Sequence, residues 1–92
     1  NCFIATHNKK VIGFLLAIKN NDNIIIDLIA VDKKYRGLGV GKNLIKFTQN
    51  YYRNTSSSIE VGTQLRNKES IKLYNSLGFQ FISHNLVWHY HN

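Results

Sequence analysis

Residues 35–43 read YRGLGVGKN, in which Gly37, Gly39 and Gly41 alternate with Leu38 and Val40 between Arg36 and Lys42, and a helical pattern follows at once. Bare backbone at a helix start suits one kind of chemistry. The first N–H groups of a helix have no intrahelical partner and sit at the positive end of its dipole. Glycine lets a ligand come close to them and lets φ turn positive. Such a nest binds phosphate or diphosphate, and Arg36 and Lys42 add cationic donors for the same anion. Two standard phosphate loops do not fit. A Walker A loop needs glycine where Arg36 stands and Ser or Thr where Asn43 stands, and a dinucleotide fingerprint would put its third glycine at Lys42. A glycine-rich turn with no ligand is the plain alternative, and it leaves the flanking Arg and Lys unexplained.

Asp27 interrupts the apolar run IIIDLIAV (24–31). An acid in such a run is expected to be paired or functional, which makes Asp27 a candidate proton acceptor beside Glu60 on the next strand. His89 and His91 share one strand face, but no third ligand at a recognisable spacing accompanies them, so no metal site is expected. Cys2 has no base near it in sequence, and a covalent intermediate on it has little support.

The elements that must position these groups follow from periodicity. FIAT (3–6), VIGFLLAI (11–18) and IIIDLIAV read as strands separated by the turn signals NKK and NNDN, giving an antiparallel meander whose third strand looks covered on both faces. Val40, Leu44, Phe47 and Tyr51 form an apolar stripe on a helix of about four turns, with Ile45, Thr48 and Tyr52 beside them. SIEVGTQL (58–65) is a strand. Asn67 is a good N-cap for a second helix with Ile71, Tyr74 and Leu77 inward and Gly78 as its stop. FQFIS and LVWHYH close the chain as two strands, with a hairpin across His84–Asn85. The order β-β-β-α-β-α-β-β predicts an α+β fold, two helices packed on a mostly antiparallel sheet.

IAVDKKYRGLGVGKNLI resembles the acyl-CoA-binding motif of the GNAT superfamily of N-acetyltransferases: Arg or Gln, two residues, Gly, one residue, then Gly or Ala. Arg36, Gly39 and Gly41 occupy those positions. NKESIKLYNSLGF is similar to the family's later helix, through Asn67, Tyr74, Gly78 and Phe79. The resemblance covers nearly the whole chain and implies a single acetyltransferase-like domain over 1–92, the C-terminal part of a full GNAT domain, short of the first strand and helix pair that generally line the acceptor site. It implies acetyl-CoA as cosubstrate. Ile29, Ala30 and Val31 would offer backbone groups to the pantetheine arm, the amides of Gly37 to Lys42 would hold the diphosphate, and Asn67 would contact the pantetheine end, as well as or instead of capping its helix. Tyr74 would protonate the leaving sulfur, the alternative being a core aromatic at helical spacing. The proton of the attacking amine would go to Asp27, to Glu60 or to a water chain. VGTQLRN with LYNSLGF and VWHYH is similar to the branch that acetylates nucleotide-linked aminosugars.

Composition bounds this reading. Ninety-two residues with 43% apolar content suit one small domain. No apolar run reaches the roughly 18 residues of a membrane span, and the single cysteine favours a reducing compartment, so a cytoplasmic protein is expected. Net charge is +7, which attracts polyanions. The expected partner is a small-molecule amine, and a homodimer is compatible. A non-catalytic CoA-binding domain ranks below the enzyme. A nucleic-acid module also ranks below it, because the helical stripe places Tyr51 and Tyr52 in the core.

Overall fold

The computed structural model describes residues 1–62, 68–82 and 87–91. Strands β1 (Cys2–His7), β2 (Lys10–Asn20) and β3 (Asn23–Val31) form the antiparallel meander. A 3₁₀ turn at Lys33–Tyr35 leads through the glycine loop into α1 (Val40–Tyr51), followed by β4 (Ser58–Gly62), α2 (Lys68–Ser76), β5 (Gln80–Ile82) and β6 (Val87–His91). The sheet order is β1-β2-β3-β4-β6-β5, and β3 and β4 run parallel because α1 carries the chain across between them. The α+β class and the order β-β-β-α-β-α-β-β are those the sequence predicts. The expected hairpin at His84–Asn85 and the end of the SIEVGTQL strand fall outside the described residues.

The core is one cluster in which Leu15 and Ala17 of β2, Ile24 and Ile26 of β3 and Ile59 and Val61 of β4 meet Leu44 and Ile45 of α1 and Tyr74 of α2. Gln49 Nε2 of α1 donates to the Leu77 carbonyl at 3.0 Å, tying the two helices together. Gly78, at φ +87°, stops α2 as expected, with Phe79 N bonded back to the Tyr74 carbonyl at 3.0 Å. No helix among the described residues is long and apolar enough to cross a membrane.

The helical stripe and the third strand depart from expectation. Leu44, Ile45, Thr48 and Tyr52 are buried, whereas Phe47 and Tyr51 are 54% and 53% exposed. These two rings sit on the flank of α1 above β1, the edge strand, where they meet Phe3 with centroids 5.1 Å away in each case. The sheet ends there, so periodicity was right about apolarity and wrong about cover. Nor is β3 covered on both faces: Leu28, with Ile4 and Ile18 from its neighbours, is exposed on the side away from the helices.

Ile45→Ala should cost about 2–5 kcal/mol through the cavity it leaves, and Phe47→Ala about 1 kcal/mol or less. Denaturant midpoints at unchanged m-value check this; equal losses at the two positions would contradict the observed orientation of α1.

Candidate functional site

The glycine loop opens outward. Gly37 and Gly39 have φ of +81° and +85°, and a Cβ built on either would meet nothing within 4 Å. Gly39 caps α1 in the left-handed conformation without a side-chain cap, and the first intrahelical bond runs from Asn43 N to the Gly39 carbonyl at 2.9 Å. No backbone N–H from Gly37 to Lys42 makes a hydrogen bond of good geometry to any described residue. Six donors at the positive end of a helix dipole are therefore unbonded among the described residues. Gly41 lies against β3, where a Cβ would sit 3.8 Å from Val31 Cγ2. Arg36 uses its Nε to reach the Val31 carbonyl at 3.3 Å, pinning the loop to the strand while the residue stays exposed. The Lys42 side chain is exposed as well.

Among the described residues, parallel pairing of β3 with β4 runs as far as Ile26↔Val61, while β3 continues to Val31 paired with β2, through Leu15↔Ile29, Phe14↔Ala30 and Gly13↔Val31. The half-buried Ile29, Ala30 and Val31 thus have no partner strand on the β4 side among the described residues. Asp27 is the extra residue of a β-bulge, since Leu16 pairs with Leu28 and Ala17 with Ile26. The bulge flips the side-chain alternation, so that Ile24 and Ile26 before it and Ile29 after it all pack on the core. Asp27 itself is exposed. No ion pair or hydrogen bond of its side chain appears among the described residues, so of the two expectations for Asp27, paired or functional, the first is not met there.

Tyr74 of α2 packs against β6. Its ring lies 5.4 Å from Trp88, which pairs with Val61, and 5.7 Å from Phe79. The side chain is fully buried, and its hydroxyl has no hydrogen-bond partner among the described residues. Burial pushes the phenol up to about 12. A buried hydroxyl left without any partner costs about 1–3 kcal/mol. Asn67 lies outside the described residues. Glu60 faces His89 across β4 and β6, Oε1 to Nε2 at 3.7 Å, with the His91 ring 4.4 Å from that of His89. Among the described residues no group of three or more such side chains forms a metal site.

The family model described as the acetyltransferase (GNAT) family matches residues 1–79. The chain belongs to the GNAT acetyltransferase family. Spore coat polysaccharide biosynthesis protein SpsD of Bacillus subtilis (strain 168) is 35% identical over 80 residues, which are 83% of this chain and 27% of that protein. N-alpha-acetyltransferase 30 of Dictyostelium discoideum is 31% identical over 83 residues, 85% of this chain and 45% of that one. An acetyltransferase of Bacillus anthracis str. Ames, solved in complex with acetyl coenzyme A, superposes with a TM-score of 0.82 at 32% identity over 99% of this chain and 61% of that one. The GNAT domain here spans less than two thirds of each of these relatives.

Three features were not foreseen: the bulge, the tie from Arg36 to Val31, and the isolation of the Tyr74 hydroxyl. The bulge had a signal in the lone acid inside a β-branched run. The other two depend on contacts between segments that periodicity does not reach.

Tyr74→Phe removes a buried donor that has no partner among the described residues, so the variant should be as stable as wild type or more so. The unfolded phenol loses its proton near pH 10 and the folded one near 12. Wild-type stability should therefore fall as pH rises from 10 to 12, by up to about 3 kcal/mol, and Tyr74→Phe should be spared that fall. Alkaline denaturation curves decide; a variant less stable than wild type at neutral pH would mean that the hydroxyl has a structural partner.

Proposed function

We propose that this GNAT domain transfers the acetyl group of acetyl-CoA directly to a primary amine. The observation that carries the reading is the glycine loop at the start of α1, whose amides from Gly37 to Lys42 have no hydrogen-bond partner among the described residues, at the end of a strand whose residues past Ile26 have no described partner on the β4 side. Ile26 to Val31 is five residue steps, at most about 16 Å of strand, a length suited to an extended pantetheine arm. The cosubstrate brings an acyl thioester already activated toward amines. The chain supplies position and charge. The loop amides would take the diphosphate, with Lys42 and the remaining guanidinium donors of Arg36 beside them. Ile29–Val31 would pair with the arm as a strand pairs with a strand, and a strand N–H such as that of Ile29 or Val31 would stabilise the developing oxyanion.

Tyr74 is suited to the leaving sulfur. A thiol has a pKa near 8.5, well below the 12 or so of this phenol, so full proton transfer to a free thiolate runs uphill. Tyr74 therefore acts as a neutral donor, stabilising negative charge on sulfur through a hydrogen bond that the apo fold leaves unmade. For the amine proton, the solvated carboxylate of Asp27, Glu60 and a water chain remain the acceptors that the site offers.

Two relatives indicate acceptor classes. The likeness to a polysaccharide biosynthesis protein is compatible with an amine on a sugar; the likeness to an N-alpha-acetyltransferase is compatible with a peptide α-amine. The closing VWHYH and the VGTQLRN segment favour the aminosugar.

Calorimetric titration should show binding of acetyl-CoA and desulfo-CoA and much weaker binding of ATP; a folded sample with no affinity for acetyl-CoA would end the reading. Gly39→Val forces a β-branched residue to positive φ and should abolish that affinity with the fold retained by circular dichroism. In turnover with a nucleotide-linked aminosugar, Tyr74→Phe should lower kcat by about 10²-fold with acetyl-CoA affinity unchanged. An unaltered kcat would remove Tyr74 from the chemistry.

A further inference from the structure

The β1–β2 connection is a two-residue turn, with His7 paired to Lys10 and both Asn8 and Lys9 left-handed, at φ 51° and 64°. Such turns favour glycine at the second position, and a lysine there is strained. This turn lies at the same end of the sheet as the glycine loop. The His7 ring is 5.7 Å from that of Tyr35, and Asp32 N donates to the Ile12 carbonyl at 2.7 Å, so the 3₁₀ turn runs alongside it. Lys9, Lys10, Lys33, Lys34, Arg36 and Lys42, half of the chain's twelve Lys and Arg, are gathered at this end, all exposed. The one acid among them, Asp32, spends Oδ1 on the Lys34 amide at 3.0 Å.

A diphosphate in the loop would use the amides, Arg36 and Lys42, and would leave four lysines without a counter-charge. Acetyl-CoA carries one further phosphate, a monoester on the ribose with close to two negative charges. We propose that the lysine rim formed by the β1–β2 turn (Lys9, Lys10) and the 3₁₀ turn (Lys33, Lys34) recognises this ribose 3′-phosphate, making the domain selective for acetyl-CoA over 3′-dephospho-acetyl-CoA. The inference rests on the acetyl-CoA reading above. The strained Lys9 fits it, since a left-handed residue that is not glycine persists where the surroundings hold it there, and such sites are often functional. Because the lysines are exposed, their attraction is long-ranged and screened by salt.

The test is calorimetric affinity for acetyl-CoA and for 3′-dephospho-acetyl-CoA at two salt concentrations. Wild type should bind acetyl-CoA about tenfold tighter, a difference of about 1.4 kcal/mol, and the ratio should shrink at high salt. Changing Lys9, Lys10, Lys33 and Lys34 together to Gln should bring the ratio close to one, with the dephospho form losing far less affinity than acetyl-CoA. Lys9→Gly separates structure from recognition: it should raise the unfolding midpoint by relieving the turn and still lower the ratio. Equal affinities in wild type, or a ratio that survives the fourfold substitution, would overturn the rim and leave the cosubstrate reading intact; no affinity for either compound would end both.

Discussion

Backbone donors removed from water must be satisfied, and a helix cannot satisfy its own first turn. In this domain the strand preceding α1, the 3₁₀ turn and the glycine loop leave six consecutive N–H groups, Gly37 to Lys42, unbonded among the described residues. Most helices resolve the same problem with a Ser, Thr, Asp or Asn cap. Here Gly39 takes the cap position and contributes no side-chain acceptor. The fold around the loop keeps it open: Arg36 is fastened to β3, and Gly41 lies against Val31.

The rest of the site follows from how β3 is built. Its bulge at Asp27 lets the strand keep apolar residues toward the helices on both sides of the irregularity, while its pairing with β4 ends one residue earlier. The Tyr74 ring lies against Trp88, whose strand partner Val61 is also the last described partner of Ile26. Among the described residues, main-chain amides of the loop and the Tyr74 phenol are both without hydrogen-bond partners, and the proposed cosubstrate, with its diphosphate, amide-bearing arm and thioester sulfur, would use both.

Much of this was legible in the sequence, and for local reasons. Strand order, the first helix and its start and the stop at Gly78 follow from turn residues, glycine positions and apolar periodicity, each acting within a few residues. Phe47 and Tyr51 show where that logic ends: their spacing marks them as apolar, yet only the position of β1 at the sheet edge determines that they stay exposed. The exposure of Asp27 has a different origin: the strand skips a register there, and the skip depends on pairing with β2. The lysine rim was invisible because Lys9 and Lys33 come together through the meander, although each was plain in the sequence and contributed to the net charge of +7.

The most direct measurement is amide hydrogen exchange, resolved residue by residue by NMR, over Gly37 to Lys42 with and without acetyl-CoA. The account predicts that these amides exchange rapidly in the free protein, as unbonded solvent-facing donors do, and become protected together when acetyl-CoA is added, while core amides such as those of Ile24 and Ile59 are protected throughout. Protection of the loop amides before any ligand is present, or no change on its addition, would contradict it.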